Sequence, residues 1–173
     1  MNMQSSTRKT ALTAILAAVS VVLLFLGSVT VIGDMALCAV AGYVTAVGVL
    51  ANGKRWALAQ FAVAGLLALL ILPSKFAAIV FIAFTGWYPI AKSLIERKIR
   101  RITLVWFSKL VIFNVIIQVY IAAVKWFALA DPETLGLGVP QWIAVIAFNV
   151  VCILYDISIY SASILYERVR RRR

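Results

Sequence analysis

Six long stretches of this sequence are almost free of charge, and no other property limits its fold so severely. They run roughly over 10–27, 35–51, 56–72, 76–94, 102–129 and 139–165. A bilayer core about 30 Å thick needs a helix of about 20 apolar residues, since backbone polar groups find no partner in lipid outside a helix or closed barrel. The runs show no period-two alternation, which sets a transmembrane barrel aside. Turn and charge signals separate them: Gly33-Asp34, Asn52-Gly53-Lys54-Arg55, Pro73-Ser74-Lys75, the charged stretch Glu96–Arg101, and Asp131-Pro132-Glu133 followed by Gly136, Gly138 and Pro140. The expectation is an all-α integral membrane protein, a single six-helix transmembrane domain over residues 1–173 with short loops.

Composition narrows the function. Of the 173 residues, 64% are hydrophobic and 13% charged, against about 45–50% and about 25% in soluble domains. A water-soluble fold of this length has too little interior for that much apolar surface. The absence of His removes the commonest metal ligand and the usual acid–base group near neutral pH. Cys38 and Cys152 lie inside apolar runs and read as small packing residues, not as a disulfide or metal site. Neither a phosphate-binding loop, nor a nucleophile elbow, nor a zinc-protease helix occurs. The expectation is a protein that is not an enzyme and holds no metal or cofactor.

The charges supply an orientation. With the N-terminus in the cytoplasm, the inner segments hold 14 of the 17 basic residues, while the outer loops hold Lys75 with the acids Asp34, Asp131 and Glu133. That is the positive-inside pattern, and it predicts both termini in the cytoplasm and a multi-pass plasma-membrane protein. The net charge of +11 therefore speaks for a lipid bilayer as partner and against nucleic acid. The tail Arg170–Arg173 adds attraction to anionic headgroups, at about 1 kcal/mol per basic residue. Arg8-Lys9 ahead of an apolar run resembles a secretory leader, but no A-x-A site follows, and the run reads as a retained first helix.

Ionisable groups within the bilayer are functional candidates by default. Lys109 and Lys125 stand sixteen residues apart in the fifth run, about 24 Å along a helix, and either one is long enough to snorkel. Asp156 is too short to do so and needs a partner. Lys109 is the candidate, giving a structural ion pair between the fifth and sixth spans; a proton or cation site is the weaker alternative. Asn114 and Gln118 share a helix face at i, i+4, and Asn149 lies one heptad before Asp156. These amides, like Gln60, either bond between helices or line a ligand cavity. Trp56, Trp106, Tyr120, Trp126, Trp142 and Tyr166 suit interfacial belts. Gly86-Trp87-Tyr88-Pro89 either kinks the fourth span or simply packs. Ala11, Ala14 and Ala18, with Ala17 beside them, form a small-residue stripe that permits close helix approach, inside this chain or against another.

This plan resembles the substrate-binding S components of energy-coupling factor (ECF) transporters. The likeness rests on Ala14-Ile15-Leu16-Ala17-Ala18, which matches the family's A-x-x-x-A, and on the six-helix, short-loop layout. It also rests on the stretch from Leu72-Pro73-Ser74-Lys75-Phe76 to Gly86-Trp87-Tyr88-Pro89-Ile90-Ala91-Lys92, which is similar to a Firmicutes-type six-span family grouped with S components. The resemblance implies a bacterial uptake subunit that captures a vitamin or other micronutrient, a small organic solute, at its outer side; Lys75 there would suit an anionic one. It implies docking through Ala11, Ala14 and Ala18 onto a transmembrane coupling subunit powered by an ATPase pair. It places Lys75 and the Asp131–Gly138 loop near the solute, with Asn114, Gln118, Lys125 and Asn149 as further substrate-binding candidates. The histidine-bearing start of nickel and cobalt S components is missing, which disfavours a metal substrate. Rival readings are a membrane scaffold or envelope-complex assembly protein and, more weakly, a small carrier acting alone.

Overall fold

The computed structural model describes residues 3–30, 34–73, 75–99, 101–127 and 140–171. The chain forms α1 (Met3–Val29), α2 (Asp34–Asn52), α3 (Lys54–Ile71), α4 (Lys75–Val80), one π-helical turn (Phe81–Thr85), α5 (Tyr88–Lys98), α6 (Ile102–Phe127) and α7 (Gln141–Arg171). No strand occurs among the described residues. Six helical stretches are long and apolar enough to cross a bilayer: Ser6–Val29, Met35–Asn52, Lys54–Ile71, Ala77–Lys98, Ile102–Val119 and Gln141–Ile164. The protein is thus all-α and built as a multi-pass membrane protein. Its surface agrees, because Leu70, Leu66, Val119 and Trp142 are all more than half exposed. Water would penalise such faces at about 25 cal/mol per Å²; lipid does not.

The helices gather into two compact units, one of Met1–Leu94 with Ile159–Arg173, the other of Ile95–Ser158. In the first, α1 turns Thr13, Ala17, Ser20 and Leu24 inward, a four–three–four spacing that keeps one seam facing its neighbours. The core behind it is made of small residues: Cys38 and Ala41 on α2, Ala64 and Ala68 on α3, Ala77 and Ala78 on α4, closed by Leu72 and Phe81. Small side chains let helix backbones approach closely where lipid supplies no hydrophobic drive. Between α2 and α3 the chain turns at Gly53, whose φ of +88° strains any residue with a Cβ. Asn52 ties the end of α2 to α1, donating from Nδ2 to the Lys9 carbonyl (3.1 Å) and Thr13 Oγ1 (3.0 Å).

The fourth apolar run departs from a single uninterrupted helix. Gly86 N–H donates to the Phe81 carbonyl at 2.8 Å, five residues back. Pro89 has no N–H to give to the carbonyl four residues before it, so the α ladder cannot run through here. The Trp87 indole covers part of the break by donating to the Ala83 carbonyl at 2.8 Å. Gly86 is required for packing as well: a Cβ there would lie 2.6 Å from the Phe61 ring and 2.8 Å from the Phe81 ring.

In the second unit α6 and the N-terminal part of α7 pack antiparallel. Lys109, Phe113, Ile117 and Ile121, each four residues on, bury one face of α6. Val145 and Phe148 of α7 close over Ile117 and Ile121.

Candidate functional site

The charged cluster of the second unit is the most demanding feature of the chain. Lys109 Nζ donates to Asp156 Oδ2 at 2.8 Å and to Glu96 Oε1 at 2.8 Å. The Lys109 and Asp156 side chains are 3% and 4% exposed, while Glu96 is 40% exposed. The Trp106 ring lies 5.2 Å from the ammonium, within cation–π range. Antiparallel packing puts residue 109 level with residue 156, so the lysine reaches the short carboxylate across the seam. Two of its three N–H groups go to acids and its charge faces an aromatic ring. A buried ion pair gains from such extra contacts, because desolvation otherwise rivals the attraction.

Glu96 was not legible as a member of this cluster. It stands in the run Glu96-Arg97-Lys98, which reads as a solvated inter-span segment. The available signal was its place on the last turn of α5, thirteen residues before Lys109, where a chain reversal can bring the two together.

Five residues along α6 from Lys109, Asn114 Nδ2 donates to Asn149 Oδ1 across the seam at 3.3 Å and to the Leu110 carbonyl at 2.9 Å. Asn149 in turn donates to the Val145 carbonyl at 2.9 Å. These two amides are brought together and serve interhelical bonding. Gln118 is exposed on α6, one turn beyond Asn114. Lys75 is exposed and donates from Nζ to the Leu69 and Leu72 carbonyls, both at 2.8 Å, so it caps the C-terminal end of α3. The Lys125 side chain and the Asp131–Gly138 loop lie outside the described residues.

On α1, Ala11, Ala14 and Ala18 are exposed while Ala17 is buried. The alanine stripe therefore divides: Ala17 packs inside its own unit, and the other three face outward. Deeper in that unit Gln60 is 1% exposed, and neither its Nε2 nor its Oε1 has a hydrogen-bond partner. Its Oε1 presses on Gly48 so closely that a Cβ at that position would collide with it. Unlike Asn114 and Asn149, which bond to each other, Gln60 is buried without a hydrogen bond. Lys92, placed by sequence among the inner charges, is buried with its ammonium 6.0 Å from the Tyr160 ring centroid.

Fold and site together define a class: a six-span, all-helical membrane protein with a three-residue charge cluster joining α5, α6 and α7 and an outward alanine face on its first helix. Compared with protein-family models, curated proteins and solved structures, the chain matches none. No group of three or more His, Cys, Asp or Glu placed to hold a metal ion occurs among the described residues.

Proposed function

We propose that the protein is the membrane-embedded, solute-binding subunit of an ECF-type uptake transporter. It lies in the plasma membrane with both termini in the cytoplasm and performs no chemistry itself. It captures a small anionic organic solute at its outer end and docks through α1 onto a coupling subunit driven by separate ATPases. The observation that carries this reading is the direction of the α1 alanines, with Ala11, Ala14 and Ala18 turned away from the chain's own core. An outward small-residue face is suited to a second helix at close range. Lys75 supports the solute end, because its ammonium retains one N–H and its charge after capping α3.

The experiment is Ala14→Trp and Ala18→Trp in the full chain, purified from its native membrane. The expected outcome is loss of co-purification with an ATPase-bearing coupling module and loss of ATP-dependent uptake, with helicity and melting unchanged. Wild-type co-purification in both variants removes docking through α1. A scaffold reading draws on a different observation, that Lys109, Asp156 and Glu96, and Asn114 with Asn149, satisfy one another. It is favoured if the wild-type chain co-purifies with an envelope complex that contains no ATPase.

A further inference from the structure

Three helices of the first unit meet at one corner. α1 packs against both α2 and α3. Asn52, the last residue of α2, holds the Lys9 carbonyl and Thr13 Oγ1 on α1. The chain then reverses at Gly53, and α3 opens with Lys54-Arg55. The fold therefore sets Arg8-Lys9 of α1 beside Lys54-Arg55 of α3. Arg8, Lys9 and Arg55 are exposed and Lys54 is half-buried. None of the four forms an ion pair among the described residues, and neither helix has an acid in its first turn. Four like charges gathered at one corner repel one another. The pair on α3 also opposes the helix dipole, which favours acids in a first turn. Arg97-Lys98, in contrast, occupy the last turn of α5, where the dipole favours them.

The surface below these charges identifies the anion. From Arg55 an exposed apolar strip runs along α3 through Leu58, Ala62 and Leu66, at spacings of three, four and four that keep one face. Trp56, half-buried in the same turn as Arg55, suits the membrane–water interface. We propose that this corner is a binding site for one anionic glycerophospholipid. Its phosphodiester lies among Arg8, Lys9, Lys54 and Arg55, and an acyl chain lies along Leu58, Ala62 and Leu66. The two guanidinium groups offer paired N–H donors to phosphate oxygens, and the two ammonium groups add point charges. A soluble phosphate would meet the cations and leave the apolar strip without a partner. A phospholipid matches both, at the depth where a membrane-spanning chain already holds them. The site rests on the membrane-spanning fold and not on the transport reading. Its apolar half is on α3, not on the alanine face of α1 through which the proposed function docks.

The test is native mass spectrometry of the full chain in detergent, titrated with phosphatidylglycerol and, separately, with phosphatidylcholine of the same acyl chains. The expected result is a first phosphatidylglycerol adduct that forms at least about tenfold more tightly than the phosphatidylcholine adduct. The double variant Lys54→Gln with Arg55→Gln should weaken that adduct about thirtyfold, the order set by losing two basic residues near a lipid surface. Arg8→Gln with Lys9→Gln should do the same. Arg97→Gln with Lys98→Gln removes the same charge from the last turn of α5 and should leave the adduct in place. Equal affinity for the two lipids overturns the proposal. An equal loss in the Arg97 and Lys98 variant overturns the location, because it would show attraction to net charge alone. Glycerol 3-phosphate at the lipid's own concentration should not displace the adduct, and displacement would make the ligand a soluble phosphate. If one pair of substitutions disturbs melting, the other pair decides, and wild-type affinity in it overturns the site.

Discussion

Lys109 shares one ammonium between two acids of unequal burial, and this inequality predicts how the cluster responds to mutation. Asp156 is enclosed, so Lys109→Met strands a carboxylate in the helix pair and should cost about 3–5 kcal/mol. Asp156→Leu should cost less, because Glu96 still holds the lysine. The double variant should recover much of the loss, since Glu96 is 40% exposed and keeps its water. A double-mutant cycle on unfolding in mixed micelles checks this, and additive losses would mean that the two residues are energetically independent. The pairing of Lys109 with Asp156 was readable in the sequence because so few charges interrupt the spans and a short carboxylate cannot snorkel. Glu96 was hidden by its basic neighbours. The isolation of Gln60 was unreadable, because whether a buried amide finds a partner depends on the rotation of three helices.

Among the elements, the fourth span illustrates what periodicity cannot supply. Gly86 and Pro89 marked it as either a kink or plain packing, and the structure contains both. The ladder loosens into a π turn at Phe81–Thr85, and Gly86 lets the rings of Phe61 and Phe81 close over the backbone. Gly86→Ala should therefore destabilise the protein by about 1–3 kcal/mol, the usual range for overpacking. Aromatic rings cannot withdraw as a flexible side chain does. Phe61→Leu in the same chain should relieve part of that loss, a result readable by thermal melting in detergent. If Gly86→Ala melts at the wild-type temperature, the glycine is not needed for this contact. The span lengths themselves were legible to within a few residues, because bilayer thickness sets them independently of tertiary packing.

For the whole molecule, sequence supplied the number of spans and an orientation through the distribution of Lys and Arg. It could not say which way the α1 alanines face, since Ala14, Ala17 and Ala18 fall within about 40–100° of one another on a helical wheel, and the packing of α2 and α3 separates the buried one from the exposed ones. The orientation has its own test. Cysteine introduced at Lys75 should react with a membrane-impermeant maleimide in intact cells, and cysteine at Lys98 should react only after the membrane is opened. Labelling at 98 from outside would reverse the assignment or change the number of crossings.

The Lys109–Asp156 contact also bears on how the chain enters the membrane during synthesis. A lysine or aspartate near the middle of a lone helix raises the cost of insertion by about 2.5–3.5 kcal/mol, and each of the last two spans carries one. Paired at 2.8 Å, the two charges largely neutralise each other before meeting lipid. The final hairpin should then leave the insertion machinery as one cargo, with α6 held until α7 has emerged. In nascent chains truncated after α6, a photo-cross-linker placed in α6 should still reach the insertion machinery, whereas in chains extended through α7 it should reach lipid. Lys109→Leu should let α6 partition by itself, and early cross-linking of the unmodified α6 to lipid would show that the spans enter one at a time.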